Sequence, residues 1–189
     1  MSRFGAVLDS CVLVPIGLAN TLLTIAETEL FQPLWSQTIL DETLRTLKTI
    51  HPKHDPSSFE SRIQSMCDAF PEACVYEWEY LEQGLKQMLP DPGDAHVVAT
   101  AIQGRAEVIV TNNLKDFPIG LMQPIGLQAI SPDSFLLDLL DMNPLLVLES
   151  VRRQASRTSR PILDPKDLLA SISNQVPNFA VAADQKLKR

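Results

Sequence analysis

The sequence predicts an α/β fold: a parallel central sheet flanked by helices, followed by a helical C-terminal extension. Three observations lead there. Short apolar runs at residues 4–8, 107–111 and 126–130 have the length of buried strands. They are separated by longer stretches with helical spacing of apolar residues, and strands that alternate with helices imply a parallel sheet covered on both faces. After Ser131 the strand signals stop and only helical patterns remain.

The elements follow in order. Residues 4–8 read as a buried strand that delivers Asp9 at its C-terminal edge. Residues 12–27 read as one helix with Pro15 in its first turn. A short strand is expected at 32–35. Ser36 suits the cap of a helix that carries Ile39, Leu40, Leu44, Leu47 and Ile50 on one face. A loop with two prolines covers 51–58. A helix is expected at 59–70, a strand at 74–78 and a short helix at 79–88. Asp91-Pro92-Gly93-Asp94 opens the next helix, which runs to about Gln103. Helices at 132–142, 144–154 and 165–174 each begin near a proline, where its fixed backbone angle is tolerated. Residues 156–161 read as a polar, basic linker, and 184–189 as a frayed end. No repeat or low-complexity tract interrupts this plan, which divides into a body of 1–135 and an extension of 136–189.

Composition narrows the class. A hydrophobic content of 45% with 21% charged residues is that of an ordinary soluble chain able to bury a core. The three cysteines, Cys11, Cys67 and Cys74, are odd in number and lack zinc-ribbon or redox spacing, so free thiols in a reducing compartment are expected. No apolar run approaches the ~20 residues that span a bilayer. The first residues lack the apolar segment of a signal peptide, so no membrane association and a cytoplasmic location are expected. The net charge of −7 argues against a nucleic-acid partner, yet it is unevenly spread. Residues 1–142 hold 8 Lys and Arg against 19 Asp and Glu; residues 143–189 hold 8 against 4. Acids that bind metal and a basic tail that touches phosphates would give this asymmetry, and so would solvated helix faces.

Four acids occupy positions that chemistry could use. Asp9 ends the first strand, and ligands of open α/β sheets bind beyond the carboxyl ends of the strands; a turn or cap residue would sit there too. Asp91, Pro92 and Asp94 fit a helix cap, its first position and its third, which alone would explain them. Asp94 nevertheless falls at the angular centre of the stripe formed by Val97, Val98, Ala101 and Ile102, at about 100° per residue. An acid on that side needs a partner such as a metal. Asp116 lies in a polar loop after the strand ending at Thr111, at the same edge as Asp9. Glu42 lies on the polar side of its helix, where an exposed glutamate is the simpler reading. Oxygen-only clusters suit hard cations such as Mg²⁺ and Mn²⁺. His96 is expected to be a partly exposed structural residue, and Cys11 has no partner spacing that would make it a nucleophile. Trp35, Trp78, Phe117 and Phe135 are expected in the core.

In combination these segments resemble the PIN domain. The carriers are Asp9 after an apolar strand, Glu42 on the second helix, Leu89-Pro90-Asp91-Pro92-Gly93-Asp94-Ala95-His96-Val97-Val98-Ala99 opening a helix, and Val110-Thr111-Asn112-Asn113-Leu114-Lys115-Asp116-Phe117 after a strand. The last two are specific together, and the likeness covers about residues 4–135. It is strongest to the VapC-type toxins of bacterial toxin–antitoxin pairs. The resemblance implies a Mg²⁺-dependent endoribonuclease in which Mn²⁺ can substitute. It makes Asp9, Glu42, Asp94 and Asp116 the catalytic quartet, with Asp9, Asp94 and Asp116 as direct metal ligands. Glu42 would hold a metal-associated water or assist proton transfer, while Thr111 and Asn112 would orient the acids or the scissile phosphate. Asp91 is an added acid found in one branch of the family. An RNA substrate, a small antitoxin partner and a homodimer are implied with it. The extension lies outside the minimal domain; its Arg152, Arg153, Arg157 and Arg160 could bind RNA phosphates, or pack against the acidic body or a second subunit.

Rival readings are a dehalogenase-type phosphatase, a receiver domain, a housekeeping RNA-processing nuclease and a catalytically idle RNA-binding or scaffold module. The first wants a second Asp two residues after Asp9, where Cys11 stands. The receiver has its acids on other strands. All four acids are present, which does not favour the idle module.

Overall fold

The computed structural model describes residues 4–158 and 161–188. Four strands form one parallel sheet: β1 (Gly5–Leu8), β2 (Gln32–Leu34), β3 (Val108–Val110) and β4 (Gln128–Ile130). Their order across the sheet is β2-β1-β3-β4. Ala6, Val7 and Leu8 are fully buried, as an unbroken apolar run predicts for a central strand covered on both faces. Register is set by pairs such as Val7 with Leu34 and Leu8 with Val110. From β1 the chain moves outward to β2 and returns on the opposite side of β1 as β3. The crevice beyond the carboxyl ends of β1 and β3 is therefore the switch point at which α/β sheets bind ligands.

The helix expected at 12–27 is two helices, α1 (Ser10–Leu13) and α2 (Ile16–Ala26). Pro15 has no N–H to continue the first and takes an extended conformation, ψ 109°, that breaks it. The carbonyls freed at the end of α1 are met by Arg62, which donates to Leu13 O at 2.6 Å and Val14 O at 3.5 Å. Helix α3 (Gln37–Ile50) is capped by Ser36 as expected, and it buries Ile39, Leu40 and Leu47 while Ile50 is exposed. Helix α4 (Pro56–Ala69) starts three residues before the expected boundary, because Asp55 accepts from Ser57 N and Pro56 occupies the first turn. The strand expected at 74–78 is reduced to a single bridge between Trp35 and Cys74. Glu77, at φ 58°, turns the chain into the left-handed region and ends any extended run. Helix α5 (Glu79–Lys86) leads to a 3-10 turn at Pro92–Asp94 and then to α6 (Ala95–Gln103). A short helix not expected from the pattern, α7 (Ile119–Met122), precedes β4.

The extension holds α8 (Pro132–Met142), α9 (Pro144–Ser156), α10 (Pro165–Ile172) and an unforeseen α11 (Pro177–Leu187). The end expected to fray is ordered to Leu187 because Val176, Phe179, Ala180 and Ala183 are buried at helical spacing. Asp133 of α8 accepts from Asn178 N, Phe179 N and the Asn178 amide, tying α11 down. Helix α9 lies against α2, where Gln154 is buried, accepting from Thr21 Oγ1 at 2.9 Å and donating to Gly17 O at 3.1 Å. Two of the extension's arginines also reach the body. Arg153 donates to Thr24 O at 2.8 Å and lies 3.3 Å from Glu27, and Arg157 grips Glu27 with both Nη atoms at 3.0 and 3.2 Å. For this pair, packing against the body is the alternative the structure realises. Arg152 is exposed, and Arg160 lies outside the described residues.

Trp35, Trp78, Phe117 and Phe135 are buried, as expected. Cys11, Cys67 and Cys74 are free thiols. Among the described residues no helix is long and apolar enough to cross a membrane.

Candidate metal and nuclease site

Each predicted acid reaches the switch point by its own element. Asp9 immediately follows β1, and its N–H continues the sheet by donating to Val110 O at 3.1 Å. Asp9 is only 6% exposed, and three side chains hydrogen-bond its carboxylate. Thr111 Oγ1 donates to Oδ2 at 2.7 Å, Cys11 Sγ donates to the same oxygen at 3.2 Å, and Ser10 Oγ donates to Oδ1 at 3.3 Å. Thr111 is fixed in turn, because its oxygen accepts from Asn113 N at 3.0 Å. Asn112 is exposed at the rim and donates its backbone N–H to Cys11 Sγ at 3.2 Å. Burial, and then the charge of Asp9, push the Cys11 thiol up to about 12. It is a hydrogen-bond donor there, not a thiolate nucleophile.

Asp116 closes the 3-10 turn Leu114–Asp116 after β3 and is 8% exposed. Asp94 ends the turn before α6 and is half-buried, on the side of the buried Val97, Val98 and Ala101. Its Oδ2 is out of contact with solvent and has no hydrogen-bond partner. Burial first, then the charges of Asp9, Asp91 and Asp116, raise its pKa to about 6. Carboxylates repel in this way when they share a small volume. Asp91 is exposed and performs the capping role, accepting from Gly93 N at 2.8 Å.

Glu42 is not the freely exposed glutamate its helix position suggests. It is half-buried, with Oε2 3.3 Å from His96 Nε2. Burial alone would raise its carboxyl, but His96, with smaller help from Ser10 and Arg45, brings it below the ordinary range. His96 is 4% exposed, contrary to the expectation of a partly exposed ring. Its Nδ1 lies 2.8 Å from Gly93 O, so it is packed under the same turn that carries Asp94. Its own burial would lower its pKa, and the contacts with Glu42 and Gly93 outweigh that and raise it.

The structure thus gathers Asp9, Asp94, Asp116 and Asp91 into one charged neighbourhood and brings Glu42 to its margin through His96. Among the described residues no three His, Cys, Asp or Glu side chains converge on one ion-sized point. The donors nevertheless fit a divalent cation, since a buried carboxylate oxygen without a partner, repelled by three other carboxylates, is relieved by positive charge. Ser10, Cys11 and His96 are the participants that sequence reasoning missed. Their signal was proximity, one or two residues from Asp9 and Asp94.

A parallel sheet with oxygen donors collected at its switch point is the architecture of a PIN domain, and this chain belongs to that family, whose profile matches residues 5–115. Residues 132–185 match a second family, the VapC50 C-terminal domain. Over 90 residues the chain is 41% identical to "Putative ribonuclease VapC50" of Mycobacterium tuberculosis (strain ATCC 25618 / H37Rv), which covers 48% of this chain and 53% of that protein. The chain thus matches about half the length of this curated relative. No solved structure matches it.

Proposed function

We propose that this protein is a Mg²⁺-dependent endoribonuclease that hydrolyses RNA phosphodiester bonds, with Mn²⁺ able to substitute, and that it is the toxin of a toxin–antitoxin pair. The observation that carries the reading is Asp94: a carboxylate oxygen without a partner, held among other carboxylates at the ligand-binding edge of a PIN fold. Hard oxygen donors without thiolate or imidazole in direct reach suit Mg²⁺. The likeness to a protein named as a ribonuclease supports RNA as substrate, and the match to the VapC50 C-terminal domain supports the toxin assignment.

In this reading Asp9, Asp94 and Asp116 would hold the cation. Thr111, Ser10 and Cys11 fix the carboxylate of Asp9 through the hydrogen bonds described, so its oxygens need no reorganisation when substrate arrives. A bound divalent cation supplies a water of lowered pKa and neutralises charge on the phosphate. Glu42 would hold a metal-associated water or assist proton transfer, and Asn112 and Asp91, both exposed at the rim, would position the RNA strand. Residues 1–135 form the nuclease unit and residues 136–189 its appended helical unit. The antitoxin is a small protein whose arginine would pair with the carboxylates and displace the cation. The active form is a homodimer in the cytoplasm.

The test is cleavage of structured and unstructured RNAs with Mg²⁺, Mn²⁺ or EDTA, beside the Asp9→Ala/Asp94→Ala double variant. Metal-dependent cutting by wild type that the variant lacks is the expected result. Equal behaviour of the two proteins with every RNA and metal rejects the assignment.

A further inference from the structure

Glu42 lies on α3 and Asp94 in the turn before α6, and a single side chain links Glu42 to that turn. His96 presents one ring nitrogen to each. Nδ1 is 2.8 Å from Gly93 O in the turn that carries Asp94, and because a carbonyl can only accept, Nδ1 is the donor. Nε2 points the opposite way, to Glu42 Oε2 on α3 at 3.3 Å. That second contact is an ion-pair approach and not a full hydrogen bond, because buried Nε2 has no hydrogen-bond partner. Trp78 lies beside the ring, with centroids 6.2 Å apart. A buried position that needed only packing would be filled more cheaply by an apolar side chain, because burying a polar ring costs free energy unless it is partnered. Here both nitrogens are aimed at oxygens of the two segments that must be in register.

We infer that His96 is a positioning residue for the cleavage reaction, a bridge from the Asp94 turn that sets the carboxylate of Glu42 against the acidic site. The inference rests on the nuclease reading above. His96 touches neither substrate nor cation; it acts through Glu42. A bridge of this kind makes a definite distinction between two conservative replacements. The amide nitrogen of Asn takes the place of Nδ1 and keeps only the Gly93 arm. The amide nitrogen of Gln takes the place of Nε2 and keeps the Glu42 arm.

The experiment is single-turnover RNA cleavage at saturating Mg²⁺ for wild type, His96→Asn, His96→Gln, Glu42→Gln and the His96→Asn/Glu42→Gln double variant, with thermal melts of each. The expected maximal single-turnover rate constant for His96→Asn is about tenfold below wild type with half-saturation nearly unchanged, the signature of an interaction felt in the transition state. His96→Gln should stay within about threefold, and in the Glu42→Gln background the Asn substitution should cost nothing more, within the roughly twofold resolution of such a cycle. Equal losses in the Asn and Gln variants, or a further tenfold loss in the double variant, overturn the bridge while leaving the nuclease intact. Wild type that cuts no RNA with any divalent ion overturns both. A second readout needs neither metal nor activity and serves if His96→Asn does not fold. In metal-free protein Glu42→Gln should move the His96 Nε2 resonance, and an unmoved resonance rejects the bridge.

Discussion

Asp94→Asn should make the metal-free protein more stable at pH 8, although it removes a residue of the proposed site. The reasoning starts from repulsion. Burial and the charges of Asp9, Asp91 and Asp116 raise the Asp94 pKa from 3.8 to about 6. In the folded state the proton is therefore held more tightly than in the unfolded chain. Between those two values the folded form carries more protons, so stability falls as pH rises from about 4 to 6 and is level above. A shift of this size corresponds to about 3 kcal/mol in a fully buried site; Asp94 is half-buried, and solvent screening reduces that to roughly 1–2 kcal/mol. The neutral amide of Asn has nearly the same shape and feels none of the repulsion. Urea denaturation in EDTA at pH 8 and pH 4 is the assay. The variant should gain about 1–2 kcal/mol at pH 8 and little or nothing at pH 4, where the wild-type carboxyl is already protonated. A variant that is destabilised at pH 8, or that gains equally at both pH values, refutes the repulsion argument.

Further expectations test the shell and the extension. Thr111→Val removes the hydroxyl that donates to Asp9 and accepts from Asn113, so it should cost about 1–3 kcal/mol in urea melts, and Thr111→Ser should restore most of it. Gln154→Ala leaves a gap between α9 and α2 and should cost about 1–3 kcal/mol, whereas Arg157→Ala breaks a solvent-exposed pair with Glu27 and should cost under about 1 kcal/mol. The reverse ranking would mean that the extension is held by charge. Gly17→Ala places a Cβ 2.9 Å from Ile172 Cγ2, so the Ile172 side chain or α10 must shift; a loss of about 1–3 kcal/mol is expected, and an unchanged melt would show that the contact yields freely.

Much of this architecture was legible because single segments carried it. The apolar run before Asp9 and the one ending at Val110 are buried on both sides, so their strands needed no tertiary information. The proline-led helices announced themselves by Pro132, Pro144 and Pro165, which the structure places in their first turns. Where the reading departed from the structure, a local conformation or a distant partner decided. Pro15 could sit in a first turn or break a helix, and it breaks one because Arg62, 47 positions on in the chain, is there to receive the α1 carbonyls. The expected strand after Cys74 is cut short by the positive φ of Glu77, a conformation that an ordinary glutamate does not advertise. Helix α11 was missed although Val176, Phe179, Ala180 and Ala183 recur at helical spacing. In the site, position after a strand picked out Asp9 and Asp116, and the apolar stripe of Val97, Val98 and Ala101 picked out Asp94. Glu42 and His96 could not be read as a pair, because they lie 54 positions apart in the chain and only the tertiary fold brings them to 3.3 Å.

The account stands most directly on whether these carboxylates bind a divalent cation that cleavage needs. Mn²⁺ can be titrated into wild type and Asp94→Asn while bound ion is followed by electron paramagnetic resonance and RNA cleavage is followed in the same samples. The prediction is that wild-type binding and cleavage rise over the same Mn²⁺ range, and that the variant loses both while keeping its fold. Equal Mn²⁺ binding by the two proteins, or cleavage that proceeds in the variant at the wild-type rate, would contradict it.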